Sequence, residues 1–198
     1  MDISIVVIDD FYENPEEVRQ DALNSKFVTK GTYPGADSVS DLFNNDIINK
    51  FSRAMGRAIS PVPMSGNYRL ALENDKAERD IHTDGINTFV ANVCLAYNKD
   101  VQGGIALWRH KETGQERLQI TPAASIEKYG ISRDEVELKV IRVDGKDYSK
   151  WDQVALIPYR FNRCVIIDGM FFHCPFPQGF GDCAENGRLT QHFFFRSI

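Results

Sequence analysis

Residues 1–66 open on one short apolar run and then place apolar side chains at helical spacing. The run at residues 3–8 is β-branched, which predicts a strand. Asn14-Pro15-Glu16-Glu17 then supplies a cap, a first-turn proline and acids suited to a helix start, so a helix is expected over residues 14–25. A second helix is expected over residues 41–58, where Leu42, Phe43, Ile47, Ile48, Phe51 and Met55 recur near the helical period before Pro61-Val62-Pro63. From Asn67 the pattern changes to short apolar or alternating runs separated by turn residues. Strands are predicted at 68–72, 88–97, 105–109, 153–159, 163–167 and 189–195. Residues 114–151 form a more polar insert. A short helix is expected there after Thr121-Pro122 and across residues 126–129, with a hairpin turn at Val143-Asp144-Gly145-Lys146. No internal repeat or low-complexity segment interrupts the chain.

Helices first and many short strands afterwards predict an α+β fold, mainly β. Its expected form is an antiparallel double sheet or jelly roll with the N-terminal helices packed outside. A parallel doubly wound sheet is disfavoured, because strands and helices do not alternate and no G-x-G-x-x-G follows a strand. At 198 residues a single domain is expected, with residues 1–66 as helical support and 67–198 as a β core carrying the insert.

Charge and cysteine usage narrow the function classes. The net charge of -5, from 28 acidic residues against 23 lysines and arginines, comes without any basic block, so nucleic acid is not an expected partner. The amino terminus has neither the flanks nor the apolar length of a signal peptide or membrane span, so no membrane partner is expected. The four cysteines, Cys94, Cys164, Cys174 and Cys183, make no C-x-x-C pair; the expectation is a reduced, cytoplasmic chain in which Cys94 and Cys164 behave as small hydrophobes.

Ile81-His82-Thr83-Asp84 sets an imidazole and a carboxylate two residues apart, which in extended chain turns both to one face. A second imidazole would complete a two-histidine, one-carboxylate face of the kind that leaves positions open on non-haem iron. By itself H-x-D is a weak signal, since chance and surface hydrogen bonding produce many. His173 follows the apolar run 164–167 and could be presented at a sheet edge into a cavity; the competing reading is a histidine packed among aromatics. His110 is expected near a solvated strand end. His192 shares a predicted face with Arg188 and Thr190 and could point inward without touching a metal. Arg188 and Thr190 put a guanidinium and a hydroxyl side by side, which suits a carboxylate, although an arginine at a strand start is often only a surface residue.

The order H-x-D, a long gap, a histidine after a strand and then R-x-T on the last strand resembles the 2-oxoglutarate and iron(II)-dependent oxygenase superfamily, in its prolyl-hydroxylase-like branch. More narrowly, Val7-Ile8-Asp9-Asp10-Phe11-Tyr12, Tyr33-Pro34-Gly35, Asn162-Arg163 through Asp168-Gly169 to His173, and Arg188-Leu189 through Phe193-Phe194 are similar to an uncharacterised bacterial and phage family within it. The resemblance implies a double-stranded β-helix with His82 and Asp84 near its second strand, His173 on the seventh and Arg188 on the eighth. It also likens Gly103-Gly104 to the turn into the fourth strand and Tyr97-Asn98 to the end of the third.

Fe(II) held by His82, Asp84 and His173 is implied, with 2-oxoglutarate and O2 as cosubstrates. Arg188, Thr190 and Tyr97 would bind the 2-oxoglutarate. The implied reaction is oxidation of a C–H bond, with succinate and carbon dioxide as coproducts. Asp84 favours hydroxylation, because the resembling halogenases lack a carboxylate there. Arg69, Asn92, Trp108 and Arg163 are candidate substrate residues, on strand faces that a one-residue slip would reverse. A small-molecule or peptidyl substrate is expected, and a homodimer is compatible with the sequence. The insert at 114–151 is longer than the usual link after the fourth strand. Two other classes stay open: a non-catalytic jelly-roll module binding a small acid, and a cupin-like metal-dependent hydrolase or isomerase in which Arg188 has no required task.

Overall fold

The computed structural model describes residues 5–39, 42–63, 65–76, 78–85 and 88–198. Parts of the first expected strand (3–4) and of the second expected helix (41) lie outside the described residues. Ile5–Ile8 is strand β1 and Pro15–Asn24 is helix α1; β2 (Phe27–Thr29) and β3 (Ala36–Ser38) precede helix α2 (Asn45–Met55). Then come β4 (Ile59–Pro61), β5 (Asn67–Ala71), β6 (Phe89–Cys94) and β7 (Gly104–His110). Beyond the insert lie β8 (Trp151–Pro158), β9 (Cys164–Asp168), β10 (His173–Phe176) and β11 (Arg188–Ser197).

The first sheet runs β1-β9-β6-β11-β5-β3-β2, with β4 also on β11; the second runs β10-β7-β8. Their pairings are antiparallel. His82 adds a single antiparallel bridge to His173, which extends the second sheet by one short segment. From β9 to β11 the chain therefore alternates between the sheets. No helix among the described residues is long and apolar enough to cross a membrane.

Both N-terminal helices form where the apolar spacing puts them, with ends set by local chemistry. Pro15 opens α1, but the Asn14 side chain makes no capping bond. Helix α2 is shorter than 41–58. The Asn44 side chain accepts from Ile47 N at 3.0 Å, and Gly56 ends the helix at φ 65°, a left-handed conformation that glycine adopts without penalty. Helix α2 buries Ile47, Phe51 and Met55 against the outer face of β11, where Phe193 and Phe195 are fully buried. Phe51 stacks on Phe195 at 5.0 Å and meets Phe193 edge-on at 5.4 Å. Phe51→Ala is expected to lower unfolding stability by about 3–5 kcal/mol, since it removes a fully buried ring and leaves a cavity. Urea denaturation with an unchanged slope would measure it. A loss near zero would show that α2 does not hold this face.

The insert departs from expectation. It forms α3 (Pro122–Tyr129), then α4 (Arg133–Glu135), running directly into a π-helical stretch (Val136–Ile141) and α5 (Arg142–Asp144), so no hairpin forms at 143–146. Ser132 and Glu135 make a reciprocal capping box, and Val136, Val140 and Ile141 bury one helical face with Ile81, Leu118 and Phe172. That burial outweighs the local turn signal of Asp144-Gly145. Gly145 instead closes onto the strand of the H-x-D motif: Ile81 N donates to its carbonyl at 3.0 Å. A Cβ at 145 would run into the carbonyls of Ile141 and Ile81. The insert is thus a brace behind His82.

Candidate metal centre and its cavity

His82 and His173 face each other across two backbone hydrogen bonds of 3.0 Å, each N–H donating to the other's carbonyl. Their rings are 4.5 Å apart. Asp84 is brought alongside by the chain's return past Gly169: Asp84 N donates to Gly169 O at 2.8 Å, and Gly169 N to Thr88 O at 2.7 Å. A Cβ on Gly169 would press on Thr88 O at 2.8 Å and on the Asp84 Cβ at 3.1 Å, so glycine permits this approach. His82 Nε2 lies 3.7 Å from Asp84 Oδ1, and His173 Nε2 lies 2.9 Å from Asp84 Oδ2. Nitrogen and carboxylate ligand atoms of all three residues fall within 4.8 Å of one another.

The hydrogen bonds fix what those atoms can do. His82 Nδ1 is 2.7 Å from Asp80 O and His173 Nδ1 is 2.8 Å from Phe171 O. A carbonyl only accepts, so both Nδ1 atoms carry hydrogen and both neutral rings turn an Nε2 lone pair toward Asp84. Asp84 Oδ2 is buried without a hydrogen-bond partner. Lone pairs from two imidazoles and a carboxylate, gathered in a buried place, require a cation or an added proton between them. Burial pushes the His82 pKa down to about 4, with His173 adding to the effect. At His173 burial also opposes charge, yet the Asp84 carboxylate overrides it and raises the pKa. Burial alone would raise the Asp84 pKa; His173, then His82, hold it below the usual carboxylate range.

One cavity connects this triad to Arg188. Strand β11 alternates, so Leu189, Phe193 and Phe195 pack into the core while Arg188, His192 and Phe194 line the cavity. Val90, Ile105, Val165 and Ile167 make the rest of its wall largely apolar. Arg188 is 1% exposed. Its Nε donates to Gln178 O at 2.7 Å, whereas Nη1 is buried without a partner. Burial pushes the pKa of the Tyr159 hydroxyl up to about 12, against the opposing pull of the Arg188 guanidinium beside it. Tyr33 lies against the triad, its ring 4.2 Å from that of His82.

The other expected residues divide by location. Arg69 and Asn92 line the cavity. Thr190 shares the inward face of β11, but its hydroxyl is taken up by His192 Nε2 at 2.8 Å and Arg69 O at 3.4 Å, and it does not line the cavity. Three residues lie elsewhere and are corrected. Tyr97, assigned to the oxo acid, hydrogen-bonds Glu16 Oε2 at 2.6 Å with Arg19 stacked 4.1 Å over its ring, because β6 ends before it and the chain turns outward. Trp108 faces the other core, donating to Cys174 Sγ at 3.2 Å, since strand parity sends Ile105 inward and Ala106 and Trp108 outward. Arg163 forks onto Asp9 at the surface, at 2.6 and 3.0 Å.

His110 is buried rather than solvated, with Nδ1 3.0 Å from Thr113 Oγ1 and Nε2 3.1 Å from Asp144 Oδ2. It forms a second candidate group with Glu112 and Asp144, though both its nitrogens are already hydrogen-bonded. His192 reaches the cavity beside Asn92, at 2.8 Å. Neither Tyr159 nor the Tyr33 ring beside His82 carries a site signal in the sequence: Tyr159 closes a predicted strand without any motif to mark it, and Tyr33 stands out only as part of Tyr33-Pro34-Gly35.

Solved structures share this fold. HygX from Streptomyces hygroscopicus, determined with nickel and 2-oxoglutarate bound, matches at 9% identity and TM-score 0.56 over 98% of this chain and 83% of that one. SnoN, a non-heme alpha-ketoglutarate-dependent epimerase from nogalamycin biosynthesis, matches at 10% and 0.56 over 98% and 78%. A prolyl hydroxylase from Trichoplax adhaerens, in complex with a hypoxia-inducible-factor oxygen degradation domain peptide, matches at 12% and 0.53 over 98% and 84%. At such identities the likeness is one of fold. No curated protein matches the chain. The model of one family, described as a family of unknown function (DUF6445), matches residues 2–195, and the chain belongs to that family.

Proposed function

We propose that the chain is a single-domain iron(II)- and 2-oxoglutarate-dependent dioxygenase that hydroxylates a C–H bond of a small-molecule or peptidyl substrate. The strand order supports reading the two sheets as a double-stranded β-helix, with the His82 bridge as its second strand and β11 as its eighth. The observation that carries the proposal is one cavity with three inward-turned metal-ligand atoms at one place and an unpartnered arginine Nη1 at another. A metal-dependent hydrolase gives that buried guanidinium no task. A non-catalytic acid binder gives the triad none.

His82, Asp84 and His173 would hold iron(II), and the residues present fit it: neutral imidazoles whose Nδ1 atoms are pinned by carbonyls, and a carboxylate oxygen with no other partner. When bound, iron with 2-oxoglutarate and O2 supplies the oxidising power, yielding succinate and carbon dioxide. Arg188, with the Tyr159 hydroxyl beside its guanidinium, would receive the far carboxylate of the oxo acid, a charged pairing made strong by the apolar wall. Val90, Ile105, Val165 and Ile167 exclude water, and Tyr33 holds the His82 ring in place.

Two outcomes follow. Carbon dioxide released from carboxyl-labelled 2-oxoglutarate should depend on added iron and on air; release no greater than a protein-free blank would contradict the reaction. Iron affinity should also fall with pH. The raised pKa of His173 means that a proton occupies its Nε2 below that pKa and competes with the metal. Affinity should therefore drop about tenfold per pH unit below it and level off above. Competition with a colorimetric chelator from about pH 5 to about pH 8 reads this directly. A flat profile would place the metal elsewhere.

A further inference from the structure

A second cavity adjoins the one that holds the triad. Tyr33, Arg69, His192 and Phe194 line both the inner cavity and an outer lobe, whose other walls include Asp37, Ser65 and Asn67. Strand register builds this lobe: β11 sets His192 opposite Asn67 and Thr190 opposite Arg69, and β3 sets Asp37 opposite Arg69. A row of polar side chains thus leads outward from the triad.

We propose that this outer lobe is the head-group subsite of the substrate and takes a free α-amino acid, an inference that rests on the oxygenase reading for the chemistry but not for the binding. Asp37 and Arg69 form a two-point ion pair, Nε to Oδ1 at 2.8 Å and Nη2 to Oδ2 at 3.1 Å, which leaves the Nη1 edge of the guanidinium outside the fork. The Asp37 side chain is 26% exposed, so its carboxylate can also meet a ligand. The pair is neutral as a whole and strongly dipolar. An anion alone would face the carboxylate of Asp37, and a cation alone the guanidiniums of Arg69 and Arg188. A ligand bearing an ammonium and a carboxylate on one carbon answers both.

The amide groups point the same way. On the lobe wall Asn67 Oδ1 is a buried acceptor without a partner, and on the inner cavity wall so is Asn92 Oδ1, whose Nδ2 is engaged by His192. Ser65, by contrast, is already used, accepting from Phe194 N at 2.6 Å. An ammonium supplies donors to such oxygens, whereas an apolar ligand would leave them unsatisfied. A peptidyl substrate would bring neither charge on its α-carbon. The shared wall at Tyr33, its ring tilted against that of His82, puts the carbon chain of an amino acid held there beside the metal centre.

The test is saturation-transfer NMR and calorimetry on protein loaded with zinc and 2-oxoglutarate, which does not turn over. The common L-amino acids are screened, and each binder is compared with its N-acetyl derivative and its decarboxylated amine. At least one amino acid should bind, with both derivatives weaker by about tenfold or more. Asp37→Asn and Asn67→Ala should each weaken the amino acid by a similar factor, and Asn67→Ala should leave 2-oxoglutarate affinity unchanged. If no amino acid binds, or the derivatives bind as tightly as their parents, the subsite assignment is overturned. Binding of 2-oxoglutarate without any amino acid removes this inference alone; amino-acid binding without 2-oxoglutarate removes the oxygenase reading and leaves the subsite standing.

Discussion

Arg188→Ala is expected to keep iron(II) at one ion per chain while weakening 2-oxoglutarate by about 2–5 kcal/mol, roughly thirtyfold to several-thousandfold. The size follows from the setting. Arg188 is 1% exposed, its Nε is anchored on Gln178 O, and its unpartnered Nη1 belongs to the cavity that holds the triad. Without the guanidinium, a ligand carboxylate would be stranded in an apolar enclosure. Tyr159→Phe should cost less, about 0.5–1.5 kcal/mol, because a neutral hydroxyl is lost while the charge partner stays. Calorimetric titration of 2-oxoglutarate into the iron-loaded variants gives the ordering. Parent-like affinity in Arg188→Ala would remove β11 as the carboxylate receptor and revive the cupin-like alternative.

His82→Ala and His173→Ala should each abolish tight iron binding, with a loss of at least about a hundredfold, since even disturbing a residue that orients a metal ligand commonly costs ten- to a hundredfold. Each substitution removes one of three ligand atoms lying within 4.8 Å of one another. His110→Gln, which dismantles the other candidate group, should leave the stoichiometry intact, because both nitrogens of His110 already serve Thr113 and Asp144. Metal analysis after dialysis distinguishes the two groups. Retention by His173→Ala and loss by His110→Gln would move the centre to the insert.

Much of this site was legible because strand periodicity is a short-range rule. His82 and Asp84 share a side, and Arg188 and His192 line the cavity, because residues two apart face alike. The same rule misplaced Trp108, where parity read one residue off turns the indole into the other core. Tyr97 was misread because its strand stops at Cys94. Arg163 went astray because its partner, Asp9, is distant in sequence. Tyr159 could not be found from spacing at all, since its position near Arg188 depends on how β8 and β11 come together across the sheets. Nor could the insert, where an amphipathic face at Val136, Val140 and Ile141 prevails over a local Asp-Gly turn signal.

The most direct test of the metal and oxo-acid assignment needs no substrate: anaerobic addition of iron(II) and then 2-oxoglutarate, watched for the weak visible charge-transfer band of the chelate. The assignment predicts that the band grows to one equivalent per chain, only with both components present, and is lost in His173→Ala. Iron and 2-oxoglutarate that together give no band in the parent protein would contradict it.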